Sequence, residues 1–96
     1  MTATLIYDSA YLRHDTGPGH FETPERLECI LEAITDDGAL QPALRRVRPQ
    51  PATEQDLARC HSMEMIDAIR AHIAQGGSYL DSDTPVSAES FEIALL

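Results

Sequence analysis

An α/β fold, with parallel strands covered by helices, follows from three features of the sequence. Two short apolar segments are bounded by polar residues or prolines, helical apolar periodicity fills the stretches between and after them, and the two kinds of segment alternate along the chain. The order is strand, helix, strand, helix, helix, loop, helix, and strands separated by a helix pair most simply in parallel. Two strands and several half-apolar helices do not enclose a core, so the fold is expected to be incomplete within these 96 residues.

Leu5-Ile6-Tyr7 stands between a polar start and Asp8-Ser9, which predicts a short, buried strand from Thr4 to Tyr7. A long loop follows, through Gly17-Pro18-Gly19. Thr23 suits an N-cap with Pro24 at the first helical position, where its missing N–H costs nothing. Leu27, Ile30, Leu31 and Ile34 then recur at helical spacing, and the helix should end near Gly38. Ala43 to Arg48 reads as the second strand, stopped by Pro49 and Pro51.

Thr53-Glu54-Gln55-Asp56 resembles a capping box and opens a short helix reaching about Arg59. Ser62 caps the next helix, whose apolar stripe is Met65, Ile66, Ile69 and Ile73, with Gly76-Gly77 as its stop. Residues Tyr79 to Val86 read as a loop, after which Ser87 should cap a last helix, Ala88 to Leu96, containing Phe91, Ala94 and Leu95. That helix shows no Gly, Pro or polar ending, so residues 1–96 are expected to be one domain segment cut within its last helix.

Composition narrows the functional classes. Seven basic residues against sixteen acidic give a net charge of −9, which repels a phosphate backbone unless the basic groups cluster. Arg45, Arg46 and Arg48 are close, but without interleaved aromatics they read as solvated flanks of a strand; no nucleic-acid partner is expected. No apolar run approaches the roughly 20 residues needed to cross a bilayer, so no membrane partner is expected either. The first residues lack the positive flank and apolar stretch of a secretory signal, which makes the cytoplasm the expected compartment. Cys29 and Cys60 suit two reduced thiols there, with a disulfide between them as the alternative.

The segment His14-Asp15-Thr16-Gly17-Pro18-Gly19-His20-Phe21-Glu22-Thr23-Pro24-Glu25-Arg26-Leu27 resembles the signature loop of the histone deacetylase and acetylpolyamine amidohydrolase superfamily, in which a Gly-rich turn leads into His-Pro-Glu-x-Pro-x-Arg. The likeness continues through Pro51-Ala52-Thr53-Glu54, Cys60-His61-Ser62 and Asp81-Ser82-Asp83-Thr84-Pro85-Val86-Ser87, in the family's order and approximate spacing, and is best to its bacterial, class II-like branches. Two positions depart from the pattern: Phe21 stands where the family usually has Pro, and Met65 where it usually has Tyr.

The resemblance implies the N-terminal part of an arginase/deacetylase-like fold, a mostly parallel sheet with flanking helices and zinc at the C-terminal strand ends. The implied reaction is hydrolysis of an N-acetylated amine, acetyl-lysine or an acetylpolyamine. Zinc polarises the acetyl carbonyl and its water, and a His serves as general base and acid. The family's zinc ligands, paired His residues and oxyanion-stabilising Tyr would lie after the last helix, so no catalytic residue and no bound metal are expected in these 96 residues.

Residue by residue, the resemblance carries over as follows. Asp83 would stand at the rim of the active site and accept hydrogen bonds from the substrate backbone. Without the resemblance, Asp81 and Asp83 read as a turn, since they lack the downstream Gly and Glu of a calcium loop. Arg26 would line an internal channel through which acetate leaves, a task that suits a permanently charged, bidentate guanidinium; from sequence alone it reads as a surface Arg. His14, His20, Glu22 and Pro24 belong to the active-site loop. His14, Asp15, His20 and Glu22 are also chemically apt for zinc, but on a Gly-rich loop before a helix they read as loop-ordering residues. His61 reads as hydrogen-bonded in the packed interior, and His72 as a residue beside an apolar stripe.

Two functions are therefore in competition. The first is the N-terminal portion of a zinc-dependent deacetylase, inactive alone, whose longer chain takes an acetylated amine. The second is a catalytically inactive acidic binding or regulatory module derived from that fold. By itself the chain is expected to form at least a dimer, because its apolar stripes need partners.

Overall fold

The computed structural model describes residues 2–96, and these form an α/β layer. Strand β1 (Ala3–Ile6) pairs in parallel with β2 (Leu44–Val47), in a register that sets Ala3 beside Leu44 and Ile6 beside Val47. Tyr7 N–H extends the ladder to the Val47 carbonyl at 3.3 Å. Helix α1 (Pro24–Asp36) connects the strands, and α2 (Glu54–Ala58), α3 (Met63–Ala74) and α4 (Ser90–Ala94) follow. Short 3-10 turns at Ser9–Arg13 and Gln41–Ala43 occupy stretches that read from sequence as loop and strand entrance.

Helix boundaries follow local chemistry. Pro24 opens α1 behind Thr23, which caps through its backbone without a side-chain bond. Thr53 and Asp56 complete a reciprocal capping box, Thr53 Oγ1 accepting from Asp56 N–H at 3.1 Å while Asp56 Oδ2 accepts from Thr53 N–H at 2.9 Å. A cap of this kind contributes about 1 kcal/mol, a large share for a helix of five residues. Ser62 caps α3 through its hydroxyl. At the other end Gly76, with φ of 85°, gives its N–H to Ile73, and Gly77 gives its own to His72, a Schellman ending in which the left-handed residue has to be Gly.

The strand expected to be buried is not. Leu5 is half-buried and Ile6 is 56% exposed, because the sheet has only two strands and the outer edge of each is unpaired. On α1, Leu27, Leu31 and Ile34 are half-buried while Ile30 is exposed. Among the described residues the buried aliphatic side chains of the core are Ile66 and Ile73, both on α3, and Pro85 is buried in the loop before α4. Ile66 and Ile73 face α4 across an open apolar cleft of about 350 Å³. The molecule is correspondingly a slab, 45 × 34 × 17 Å.

The last helix also departs from the expected Ala88 to Leu96. Ser90 N–H bonds the Ser87 carbonyl, but the helix proper begins at Ser90 behind Glu89, and the Ser87 side chain points to other partners. Helix α4 is tied to the β2–α2 connection by Ala52 N–H donating to the Leu95 carbonyl at 2.7 Å. Arg70 joins three helices: its guanidinium contacts Glu54 Oε1 at 3.0 Å, contacts Asp67 Oδ1 at 3.3 Å and lies over the Phe91 ring at 4.9 Å. His61, expected in the interior, is exposed beside the apolar cleft. Cys29 and Cys60 are free and exposed, and no helix among the described residues is long and apolar enough to cross a membrane.

Candidate substrate rim

Two chain segments distant in sequence form the candidate site. The first is the loop of residues 14–23, which folds back on itself. Asp15 Oδ1 accepts from Gly17 N–H at 2.8 Å, and Gly17 and Gly19, with φ of 83° and 80°, reverse the chain. The buried Thr16 hydroxyl donates to the Glu22 carbonyl, while Glu22 N–H donates to His20 Nδ1 at 3.0 Å. These bonds set the loop's exit into α1, so Pro24 and Arg26 leave it in a defined direction.

The loop is pinned to the start of α4 by hydroxyl groups. His14 Nδ1 lies 2.8 Å from Ser90 Oγ, and Asp15 N–H donates to Ser87 Oγ at 3.2 Å. Ser90 Oγ also accepts from Ser87 N–H at 2.8 Å and sits 3.2 Å from Ser87 Oγ. Ser90 is buried, so this polar network is satisfied inside the structure rather than by water. From sequence Ser87 reads only as a helix cap, and Thr16 and Ser90 carry no signal of their own. Their partners lie far away along the chain, and the visible sign was a pair of serines one helical turn apart.

The second segment is a hairpin of residues 78–86. Tyr79 and Pro85 form an antiparallel bridge, Val86 N–H donates to Ser78 and Leu80 N–H to Thr84. At its tip Asp81 Oδ1 accepts from Asp83 N–H at 2.9 Å and from the Thr84 hydroxyl at 2.7 Å. This Asx turn fixes the Asp83 backbone and leaves its side chain 94% exposed. The turn role read for Asp81 is what the structure shows.

The two segments meet where His20 Nε2 stands 3.5 Å from Asp83 Oδ1. Arg26 faces a different space, a cleft of about 180 Å³ that it lines with Tyr11, His14, Glu22, Thr23, Pro24, Leu27 and Ile93. The site residues named from sequence thus fall into two neighbourhoods, His20 with Asp83 and Arg26 with His14, Glu22 and Pro24. Loop residues 20–24 link them. Phe21 is 97% exposed on that same loop.

Hydrogen bonding from the Thr84 hydroxyl, and then from Asp83 N–H, lowers the Asp81 pKa below its ordinary 3.8. A depressed carboxyl pKa stabilises the folded turn above 3.8, and that contribution is lost as pH falls below it through the folded value. In an NMR titration the Asp81 carboxyl carbon should therefore change with a midpoint under 3.8, and the Asp83 amide proton should move with it. A midpoint at or above the ordinary value would contradict the turn.

No metal centre is assembled by these groups. Among the described residues no three His, Cys, Asp or Glu side chains are placed to hold an ion, and the Nδ1 atoms of His14 and His20 are each already hydrogen-bonded.

Comparison with known proteins places the chain. The sequence model of the histone deacetylase domain matches residues 20–96, and the chain belongs to that family. It is 40% identical over 96 residues to an uncharacterized protein of Synechocystis sp., covering 96% of this chain and 31% of that protein. A protein of Methanothermobacter thermautotrophicus described as a probable deacetylase is 34% identical over 92 residues, covering 96% of this chain and 27% of its own length. The crystal structure of the HD domain of HDA15 superposes with a TM-score of 0.85 at 26% identity, over 100% of this chain and 29% of that one. The chain thus spans less than a third of the length of the curated relatives it matches.

Proposed function

We propose that these residues form the substrate-facing rim and part of the product channel of a zinc-dependent deacetylase that hydrolyses N-acetylated amines. The observation that carries the reading is Asp83, presented at the tip of a hairpin with its backbone fixed by Asp81 and its carboxylate turned out to solvent. A carboxylate held this way accepts hydrogen bonds from peptide N–H groups of a bound chain and orients it before reaction. Water adds to the acetyl carbonyl, the C–N bond breaks, and acetate and the free amine leave. Zinc, when bound by residues beyond these 96, supplies the polarisation of carbonyl and water.

Arg26 serves acetate. Its guanidinium borders the small cleft with His14 and Ile93 and is free of the ion pairs that occupy Arg13, Arg59 and Arg70. In the complete protein, Arg26→Ala is expected to lower kcat by about tenfold with zinc content unchanged, checked by steady-state kinetics beside metal analysis. Equal kinetics in the two proteins would return Arg26 to an ordinary surface role.

The functional reading itself is tested by giving the complete protein an acetyl-lysine peptide and an acetylated polyamine, with and without a chelator. Release of acetate that chelation abolishes and zinc restores is expected from one or both. The open apolar cleft favours a second reading, an inactive acidic binding module, and failure to hydrolyse either substrate with zinc bound would prefer it.

A further inference from the structure

We propose that His20 is a positioning residue for Asp83, its Nε2–H holding the rim carboxylate in the orientation that receives the substrate. The inference rests on the deacetylase reading only for what Asp83 does; the contact itself stands on geometry. His20 Nδ1 is committed as acceptor to Glu22 N–H at 3.0 Å, which puts the proton of the neutral ring on Nε2. That nitrogen is shut off from solvent and has no hydrogen-bond partner. The acceptor facing it is Asp83 Oδ1 at 3.5 Å, a few tenths of an ångström beyond hydrogen-bond distance.

A buried N–H donor left unpaired is costly, and a carboxylate that swings in solvent must be ordered when substrate arrives. Closing this gap removes both costs. The division of labour is then clear: Asp81 fixes the backbone of Asp83 through the Asx turn, and His20 fixes its side chain from the opposite segment. The ring is held in turn by the backbone of Glu22, whose carbonyl takes the Thr16 hydroxyl, so the orientation of Asp83 depends on the folded loop.

The test uses the complete protein with His20→Ala, His20→Gln, Asp83→Ala and the double variant His20→Ala/Asp83→Ala. Two substrates are compared, an acetyl-lysine peptide and an acetylated alkylamine that lacks peptide groups. His20→Ala is expected to raise KM for the peptide by about tenfold, with kcat, zinc content and KM for the alkylamine unchanged. His20→Gln, which keeps an N–H at similar reach, should recover most of the loss, and His20→Ala should add nothing in the Asp83→Ala background. Additive losses, or equal losses on both substrates, would overturn the proposal.

A second arm reads the contact without turnover. With ¹⁵N-labelled histidine, His20 should show the Nε2–H tautomer, and its ring nitrogen shifts should change in Asp83→Ala. Shifts that ignore Asp83 would overturn the contact. If the wild-type protein hydrolyses neither substrate, the functional reading fails, and this arm alone decides whether His20 holds Asp83.

Discussion

Replacing Asp83 with Ala in the complete protein is expected to lower kcat/KM for an acetyl-lysine peptide by about a hundredfold while zinc content and thermal stability stay unchanged. The size follows from the loss of charge-assisted hydrogen bonds made when a substrate backbone is desolvated against the rim, each worth roughly 1.5–3 kcal/mol. Stability is spared because the Asp83 side chain is 94% exposed and its backbone N–H, which Ala retains, is what closes the turn onto Asp81. The loss should fall mainly in KM. A variant that loses zinc instead, or that matches wild-type kinetics on its true substrate, would remove Asp83 from the rim.

The second large effect concerns the 96 residues by themselves, which are expected to associate. Their radius of gyration, 15.9 Å, exceeds the about 12 Å of a compact chain of this length. The apolar surface is ordinarily a core surface: Ile6, Ile30, Met65 and Leu80 are each more than 40% exposed, and the cleft between α3 and α4 is open. Each strand of the two-stranded sheet also keeps one unpaired edge. We propose that the remainder of a deacetylase domain covers these surfaces in the complete protein and that a second copy does so for the chain alone. Light scattering after size-exclusion chromatography over a dilution series should give a dimer or larger species. A monomer that unfolds cooperatively at low concentration would show that the segment closes its own core.

What the sequence disclosed divides along a physical line. Features set by neighbouring residues were legible: Pro24 at the head of α1, the Thr53–Asp56 capping box, Ser62 and the Gly76-Gly77 ending of α3, and both strands to within a residue. Burial was not, because Ile6 and Ile30 have the periodicity of core residues but no partner within reach to cover them. The loop and the hairpin were each recognisable as special, the first from its glycines and the second from Asp81 and Asp83. Their meeting at His20 and Asp83, and the hydroxyl network from His14 to Ser90, depend on chain folding between positions with no local signal in common. The position of Ser87 shows the same limit, since a cap motif and a loop anchor look alike until the distant partner is known.

Residues 1–96 are expected to orient substrate without holding a catalytic centre, and acetate release measured side by side decides the point. The purified chain and the complete protein would be given the same acetyl-lysine peptide with zinc supplied to both. The complete protein is expected to bind zinc and release acetate, and the chain to do neither. Acetate release by the purified chain would show that a catalytic centre lies within these residues.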